Sequence, residues 1–256
     1  GRTCVSAPYS IMKEWIYGRN AVFETLVAHR RQPFRLRVAQ GAEEKGRLEE
    51  IVRLCAAKKL PMERVQRQVL DSLAQGHQGV ALEASAYPYS TLPDILHAAE
   101  KSSEPPFILI LDTLQDPQNL GTLLRAAEAV GIHGVLLPLR HTASVTPAVV
   151  NASSGASEHL LIAQSNLAQA ILTLKEAGVW VVGLDAGETA QPPERVRLDG
   201  PLALVVGSEG GGMRELVRKS CDLLLRLPMR GQVASLNAAT AGSVALYLAF
   251  LRRGQG

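Results

Sequence analysis

The spacing of apolar residues changes character partway along the chain. From Asn20, an N-cap candidate, Val22, Phe23, Leu26 and Val27 recur at helical spacing. Residues 36–38 read as a short strand. Residues 44–57 form an amphipathic helix through Leu48, Ile51, Val52 and Cys55. A strand at 62–65, a helical turn at 69–73 and a strand at 80–84 complete a small α/β unit. Residues 86–106 break this pattern with Tyr-Pro-Tyr-Ser-Thr-Leu-Pro, a short helix at 93–100 and Lys-Ser-Ser-Glu-Pro-Pro. Beyond them, uninterrupted apolar strands at 107–111, 135–137, 160–162, 179–184, 202–206 and 223–227 alternate with helices at 118–130, 166–177, 213–219 and 235–252. Such alternation predicts an α/β protein whose larger part is a mainly parallel sheet covered on both faces. The expected limits are a tail at 1–13, a first domain at 14–86, a linker at 87–105 and a second domain at 106–256. A native start at Met12 would make the preceding residues a remnant.

Three polar segments each follow a predicted strand, where open α/β sheets bind ligands. The first is Asp116-Pro117-x-Asn119-x-Gly121-x-x-x-Arg125. Asp-Pro is a strong helix start. Asn119 and Arg125 lie about 120° apart on a continuous helix. They converge only if the helix begins after Asn119 or a substrate bridges them; otherwise Asn119 caps and Arg125 pairs with Glu128. The second is Gly207-Ser-Glu-Gly-Gly-Gly-Met213. Its bare backbone N–H groups could approach an anion or cofactor, or it is simply a tight turn. It matches neither a dinucleotide fingerprint nor a P-loop, and Glu209 would repel a phosphate. The third is Leu227-Pro228-Met229 followed by Ser235-Leu236-Asn237, where Ser235 could cap the last helix. That helix is apolar nearly all round, so it must be buried in the core or against another subunit.

Charge refines the division. The net charge is +3, and the whole surplus lies before residue 106: 15 basic against 12 acidic side chains there, and 12 against 12 afterwards. Residues 30–67 hold 11 basic and 5 acidic side chains, with Arg30, Arg31, Arg35 and Arg37 away from acids in the sequence. Those four arginines could hold the phosphates of a nucleic acid, which supply affinity and position; a solvated surface face is the alternative. The chain has 256 residues, enough to bury roughly 70–75% of its unfolded surface without a staple. Three cysteines without a CxxC pair, and six scattered histidines without HExxH, exclude a disulfide framework and point to no metal. No apolar run spans a bilayer and none resembles a secretory leader, so a cytoplasmic protein without membrane contact is expected.

In order and spacing the three segments resemble the SpoU (TrmH-type) branch of the knotted SPOUT methyltransferases, over about 150 residues from 106 onward. Ile16-Tyr-Gly-Arg-Asn-Ala-Val22 and His77-Gln-Gly-Val80 resemble the small ribosomal-protein-like RNA-binding domain of the 23S ribosomal RNA guanosine-2′-O-methyltransferases. The resemblance implies a deep trefoil knot, otherwise rare, and transfer of a methyl group from S-adenosylmethionine to a ribose 2′-hydroxyl of ribosomal RNA. It assigns Arg125, Asn119, Glu209, Ser235 and Asn237 to catalysis, and Gly207, Leu227, Met229 and Leu236 to the cofactor. It implies a homodimer through the catalytic domain. Arginine stays protonated in proteins, so Arg125 is read as an electrostatic stabiliser of the developing alkoxide rather than a base. The alternatives are a transfer-RNA ribose methyltransferase, a non-catalytic RNA-binding factor on the same scaffold, and a nicotinamide dehydrogenase, which lacks its glycine fingerprint here.

Overall fold

The computed structural model describes residues 12–232 and 235–254; the expected tail falls outside them up to residue 11. The chain divides into two compact units, one ending at Pro88 and one beginning at Tyr89.

The first unit holds β1 (Lys13–Tyr17), α1 (Arg19–Ala28), β2 (Pro33–Ala39), α2 (Arg47–Ala57), β3 (Met62–Val65), α3 (Arg67–Asp71) and β4 (Val80–Ser85). Its sheet order is β1-β4-β2-β3, antiparallel except for β2 with β3. Ile16, Leu26, Leu36, Leu48, Ile51 and Leu82 are buried between the sheet and its helices. Strand β1 escaped the sequence reading because only Ile16 of its five residues is fully buried, so no alternation shows. The turn before β4 is fixed by His77. Its Nδ1 accepts from the Gly79 N–H at 2.9 Å, which leaves the proton on Nε2 to donate to Asp71 at 2.9 Å.

The second unit starts with α4 (Leu92–Ser102), followed by β5 (Phe107–Leu111), α5 (Pro117–Ala129), β6 (Gly134–Pro138), α6 (Pro147–Ala152), β7 (Ile162–Ser165), α7 (Leu167–Glu176), β8 (Trp180–Leu184), β9 (Leu202–Val206), α8 (Glu215–Ser220), β10 (Leu223–Leu225) and α9 (Ala238–Arg253). The six strands run β10-β8-β9-β5-β6-β7, and every pairing is parallel. Strands β5, β6 and β9 are buried along their whole length, as the continuous apolar runs require. Side-chain caps set the helix starts: Asp116 on α5, Asn166 on α7 and Asn237 on α9. Helix α9 therefore begins after Asn237, and Ser235 does not cap it.

The segment read as a linker at 87–105 carries real structure. Thr91 and Asp94 form a reciprocal capping box at the start of α4, and Ser90 bridges to Ala163 beside β7. Ile95 is fully buried among Ile108, Leu136 and Ile171. The many Pro and Ser residues on either side mark the ends of this helix rather than a spacer. Ile95→Ala is expected to destabilise the second unit by about 2–5 kcal/mol, read as a lower urea midpoint; an unchanged midpoint would return the segment to a linker role.

Candidate active site

The carboxyl ends of β8, β9 and β10 and the start of α9 enclose a cavity of about 400 Å³. Gly207, Leu227, Met229 and Leu236, the four residues expected at a cofactor, all line it, and so do Glu209 and Ser235. The loop after β8, from Asp185 to Gly187, supplies the opposite wall and was missed in the sequence. The signal was present: Asp-Ala-Gly directly follows a predicted strand. Burial alone would raise the pKa of Asp185. Hydrogen bonds from Arg218 (2.7 Å) and the Gly187 N–H (2.6 Å), with the Arg218 charge, outweigh it and hold the carboxyl below its ordinary range.

The glycine segment after β9 is a closed turn. Ser208 and Gly212 exchange two backbone hydrogen bonds of 3.0 Å, and the Gly211 N–H donates to the Glu209 carbonyl at 2.9 Å. The N–H groups of Ser208, Gly211 and Gly212 are thus spent inside the turn, so the segment is the tight turn that the sequence also allowed. A side chain at Gly207 would place its Cβ 2.2 Å from the Gly212 carbonyl carbon and 2.3 Å from the Met213 nitrogen. Both obstacles are backbone, so only glycine allows this approach. The far end of the turn is pinned by Asp112, a residue the sequence reading overlooked. Its carboxylate is 0% exposed and accepts from the Arg214 backbone N–H at 2.7 Å and from Arg214 Nε at 2.8 Å.

At the cavity mouth three expected residues meet. Asn119 Nδ2 donates to Glu209 Oε1 at 3.0 Å, and Asn237 Nδ2 donates to Asn119 Oδ1 at 3.1 Å and also to Glu209. Asn237 Oδ1 meanwhile caps α9 through the Thr240 N–H. Ser235 is exposed on the cavity wall, outside this network.

Arg125 points elsewhere. Helix α5 begins at Pro117 with Asp116 as its cap, so Asn119 is not the cap and Arg125 stays on a different face. Its Nη1 donates to Ser154 Oγ at 3.2 Å, not to Glu128 or Glu209. The reason lies one turn earlier, at Gly121, which shares Arg125's face. A Cβ there would sit 2.5 Å from Ala152 Cβ and 2.9 Å from the Ser153 nitrogen. Helix α5 is thus pressed against the end of α6, and Ser154 comes within reach of the guanidinium. Ser154 carried no sequence signal.

The four arginines expected to hold RNA are all engaged within the first unit. Arg31 has a side chain 0% exposed and donates to Glu14 at 2.8 Å and to the Ser85 carbonyl at 3.0 Å, so it cannot reach a nucleic acid. Arg30 donates to Tyr87 Oη and the Pro88 carbonyl. Arg35 lies 3.1 Å from Glu83 and 3.4 Å from Glu63, and Arg37 donates to Glu63 at 3.1 Å; both stack over Trp15. The hydrogen bond from Arg37, with the two guanidinium charges, holds the Glu63 carboxyl below its ordinary range. The acids absent from the local sequence arrive across the sheet: Glu83 from β4 and Glu63 from β3.

Among the described residues no cluster of His, Cys, Asp and Glu could hold a metal, and no helix is long and apolar enough to cross a membrane. Burial pushes the Cys221 thiol up to about 12, which removes it as a nucleophile.

Residues 106–247 match the model of the SpoU rRNA methylase family. The chain belongs to the SpoU methylase family. Residues 15–90 match the RNA 2′-O ribose methyltransferase substrate-binding model, so both units of this SpoU protein are accounted for. YacO of Bacillus subtilis (strain 168), named for the TrmH family of tRNA/rRNA methyltransferases, is 43% identical over 94% of this chain and 96% of its own. The 23S rRNA (guanosine-2′-O-)-methyltransferase RlmB of Pseudomonas putida is 39% identical over 94% and 97%. In fold, the chain is similar to the SpoU methyltransferase AviRb of Streptomyces viridochromogenes in complex with AdoMet (TM-score 0.78, 23% identity, 95% and 92% covered). It is also similar to the AdoMet-bound rRNA methyltransferase of Sinorhizobium meliloti (TM-score 0.76, 24% identity, 94% and 87% covered). A small mixed domain followed by a mainly parallel sheet is consistent with the knotted SPOUT fold family.

The Gly207 contact gives a direct test. Gly207→Ala is expected to displace the turn and abolish measurable S-adenosylmethionine binding by calorimetry, with circular dichroism unchanged; normal affinity would show that the turn does not shape the cofactor site.

Proposed function

We propose that the protein transfers a methyl group from S-adenosylmethionine to a ribose 2′-hydroxyl of ribosomal RNA, with a guanosine of 23S rRNA as the target. Membership of the SpoU family supports the reaction, and the RlmB relative supports the nucleotide. The observation that carries the reading is Glu209, which lines the cavity and also accepts from Asn119 and Asn237. Cofactor space and polar network thus share one carboxylate.

The cavity suits this donor. Its charged lining residues are Asp185 and Glu209, both acids, beside apolar Leu184, Leu227, Met229 and Leu236. Asp185 is already paired with Arg218, so Glu209, with no cationic partner among the described residues, is the charge that favours a cation with an apolar body over a phosphate-bearing dinucleotide. Its volume falls within the range of small-ligand sites. When bound, S-adenosylmethionine supplies an electrophilic methyl carbon on a good sulfonium leaving group.

The remaining work falls to the chain. Attack by the 2′-oxygen forms the O–CH₃ bond as the C–S bond breaks, and the hydroxyl proton leaves to solvent or a nearby RNA phosphate. Alignment of the two reactants is the main task. Asn119 and Asn237 hold Glu209 against the turn, and Ser235 presents its hydroxyl on the same wall. Arg125, held by Ser154, stays a cation and stabilises negative charge growing on the ribose oxygen. RNA must bridge the Asn119 and Arg125 faces of α5, as one of the sequence alternatives required. The first unit reads RNA and the second performs the transfer.

We infer a homodimer through α9. Its Ala239, Gly242, Ala245, Leu246 and Ala249 are buried, whereas Val244, Tyr247, Phe250 (43% exposed) and Leu251 (58% exposed) form an uncovered apolar face. Cys55 and Cys221 are free thiols, which suits the cytoplasm.

Three outcomes test these readings. Arg125→Ala is expected to slow methyl transfer by on the order of 10²–10³ while S-adenosylmethionine affinity persists; the same assay on separated ribosomal and transfer RNA, with mapping of the new 2′-O-methyl group, identifies the target. Modified transfer RNA beside unmodified ribosomal RNA would overturn the substrate. Phe250→Asp with Leu251→Asp is expected to convert a species of twice the chain mass to a monomer in light scattering.

A further inference from the structure

A second cavity, of about 620 Å³, lies wholly within the first unit. Its walls are the turn after β2, the Gln78–Gly79 turn and three arginines, Arg19, Arg47 and Arg67. No carboxylate lines it. The three arginines come from distant parts of the sequence, and each is the first residue of its helix: α1, α2 and α3. This is the wrong end for a cation, since helix starts carry partial positive charge and favour acids. None of the three helices has a side-chain cap to offset it. The helix dipole therefore gives no reason to gather three cations around one concavity.

Their side chains are presented in different ways. The Arg19 backbone N–H donates to Gln78 Oε1 at 2.8 Å and its Nε to the Gln78 carbonyl at 3.2 Å, so the fixed His77 turn holds this residue in place. Arg47 stacks 4.0 Å from the Phe23 ring centroid and shares one nitrogen with Glu50 at 2.7 Å. Arg67 is exposed and has no polar partner among the described residues. Exposed amides of Asn20 and Gln40 stand at the same rim. Arg67 is thus the open guanidinium of the three, while Arg19 and Arg47 each keep further N–H donors beside their partners of the fold.

We propose that this arginine-lined cavity anchors the sugar–phosphate backbone of folded RNA, and that the RNA affinity of the first unit resides here rather than in the Arg30–Arg37 stretch. The proposal rests on the reading that the protein acts on RNA. Guanidinium groups suit phosphate oxygens through paired N–H donors, and three of them on rigid helix starts keep their spacing before RNA arrives. Amides beside them can meet a 2′-hydroxyl or a base edge.

The test uses the full chain and protein-free ribosomal RNA, with dissociation constants measured between about 50 and 200 mM salt. Arg47→Ala with Arg67→Ala is expected to weaken binding about tenfold or more at low salt and to flatten the salt dependence by about one to two in log–log slope. Arg67→Lys in place of Arg67→Ala is expected to restore part of the loss. Arg53→Ala, at an exposed arginine of α2 outside the cavity, is expected to bind as the unaltered protein does. S-adenosylmethionine affinity, by calorimetry, is expected to stay constant throughout. An unchanged affinity and slope in the double variant, with the unaltered protein binding and methylating RNA, would overturn the cavity and leave the methyltransferase reading standing. An unaltered protein that neither binds nor methylates RNA would overturn both.

Discussion

The catalytic unit depends on one buried carboxylate. Asp112 sits at the end of the central strand β5, with no exposure, and takes two hydrogen bonds from Arg214. A buried charge of this kind is tolerated only when paired, and removing its partner commonly costs several kcal/mol. Here the pairing also has a geometric result. Arg214 directly follows Met213, so the bond ties the exit of the glycine turn to β5, while the entrance is already fixed as the end of β9. Met213 itself is buried against Gly183 of β8, where a side chain would meet its sulfur at 2.9 Å. The turn is held at both ends by neighbouring strands, and the cavity wall is accordingly rigid without any contribution from a ligand.

Given that fixed wall, the two faces of α5 divide the labour. The Asn119 face meets Asn237 and Glu209, the latter a residue of the cavity wall. The Gly121–Arg125 face meets the turn after α6. A single helix thus joins the cofactor side to the side where Arg125 projects. This explains why the two motif residues are six apart rather than three or four: they are meant for different neighbours, and a substrate between them would complete the site.

Much of this was legible in the sequence. The long apolar runs gave the parallel sheet because buried strands need no alternation, and the residues that line the cavity stood just after those strands. The reading failed where the determinant was nonlocal. Edge strand β1 shows no period. Ile95 looks like linker composition until Ile108 and Leu136 close around it. Ser154 and Asp112 have meaning only through partners 29 and 102 residues away. The capping of α9 by Asn237 rather than Ser235 turned on a single hydrogen bond to Thr240.

The arginines teach the same lesson most sharply. Local counting found a basic stretch at Arg30–Arg37 without acids, yet sheet pairing brings Glu63 and Glu83 beside it, and Trp15 and Tyr87 cover what remains. Charge density along a chain is therefore a poor guide to charge available at a surface, because strand pairing can cancel it from a distance. Arg47 and Arg67 lie inside the basic stretch at 30–67 and Arg19 before it, and the three helix starts they occupy meet only in three dimensions. A cation placed against a helix dipole and left without a carboxylate, as Arg67 is, is the better marker of a binding surface, since the fold itself gains so little by keeping it there.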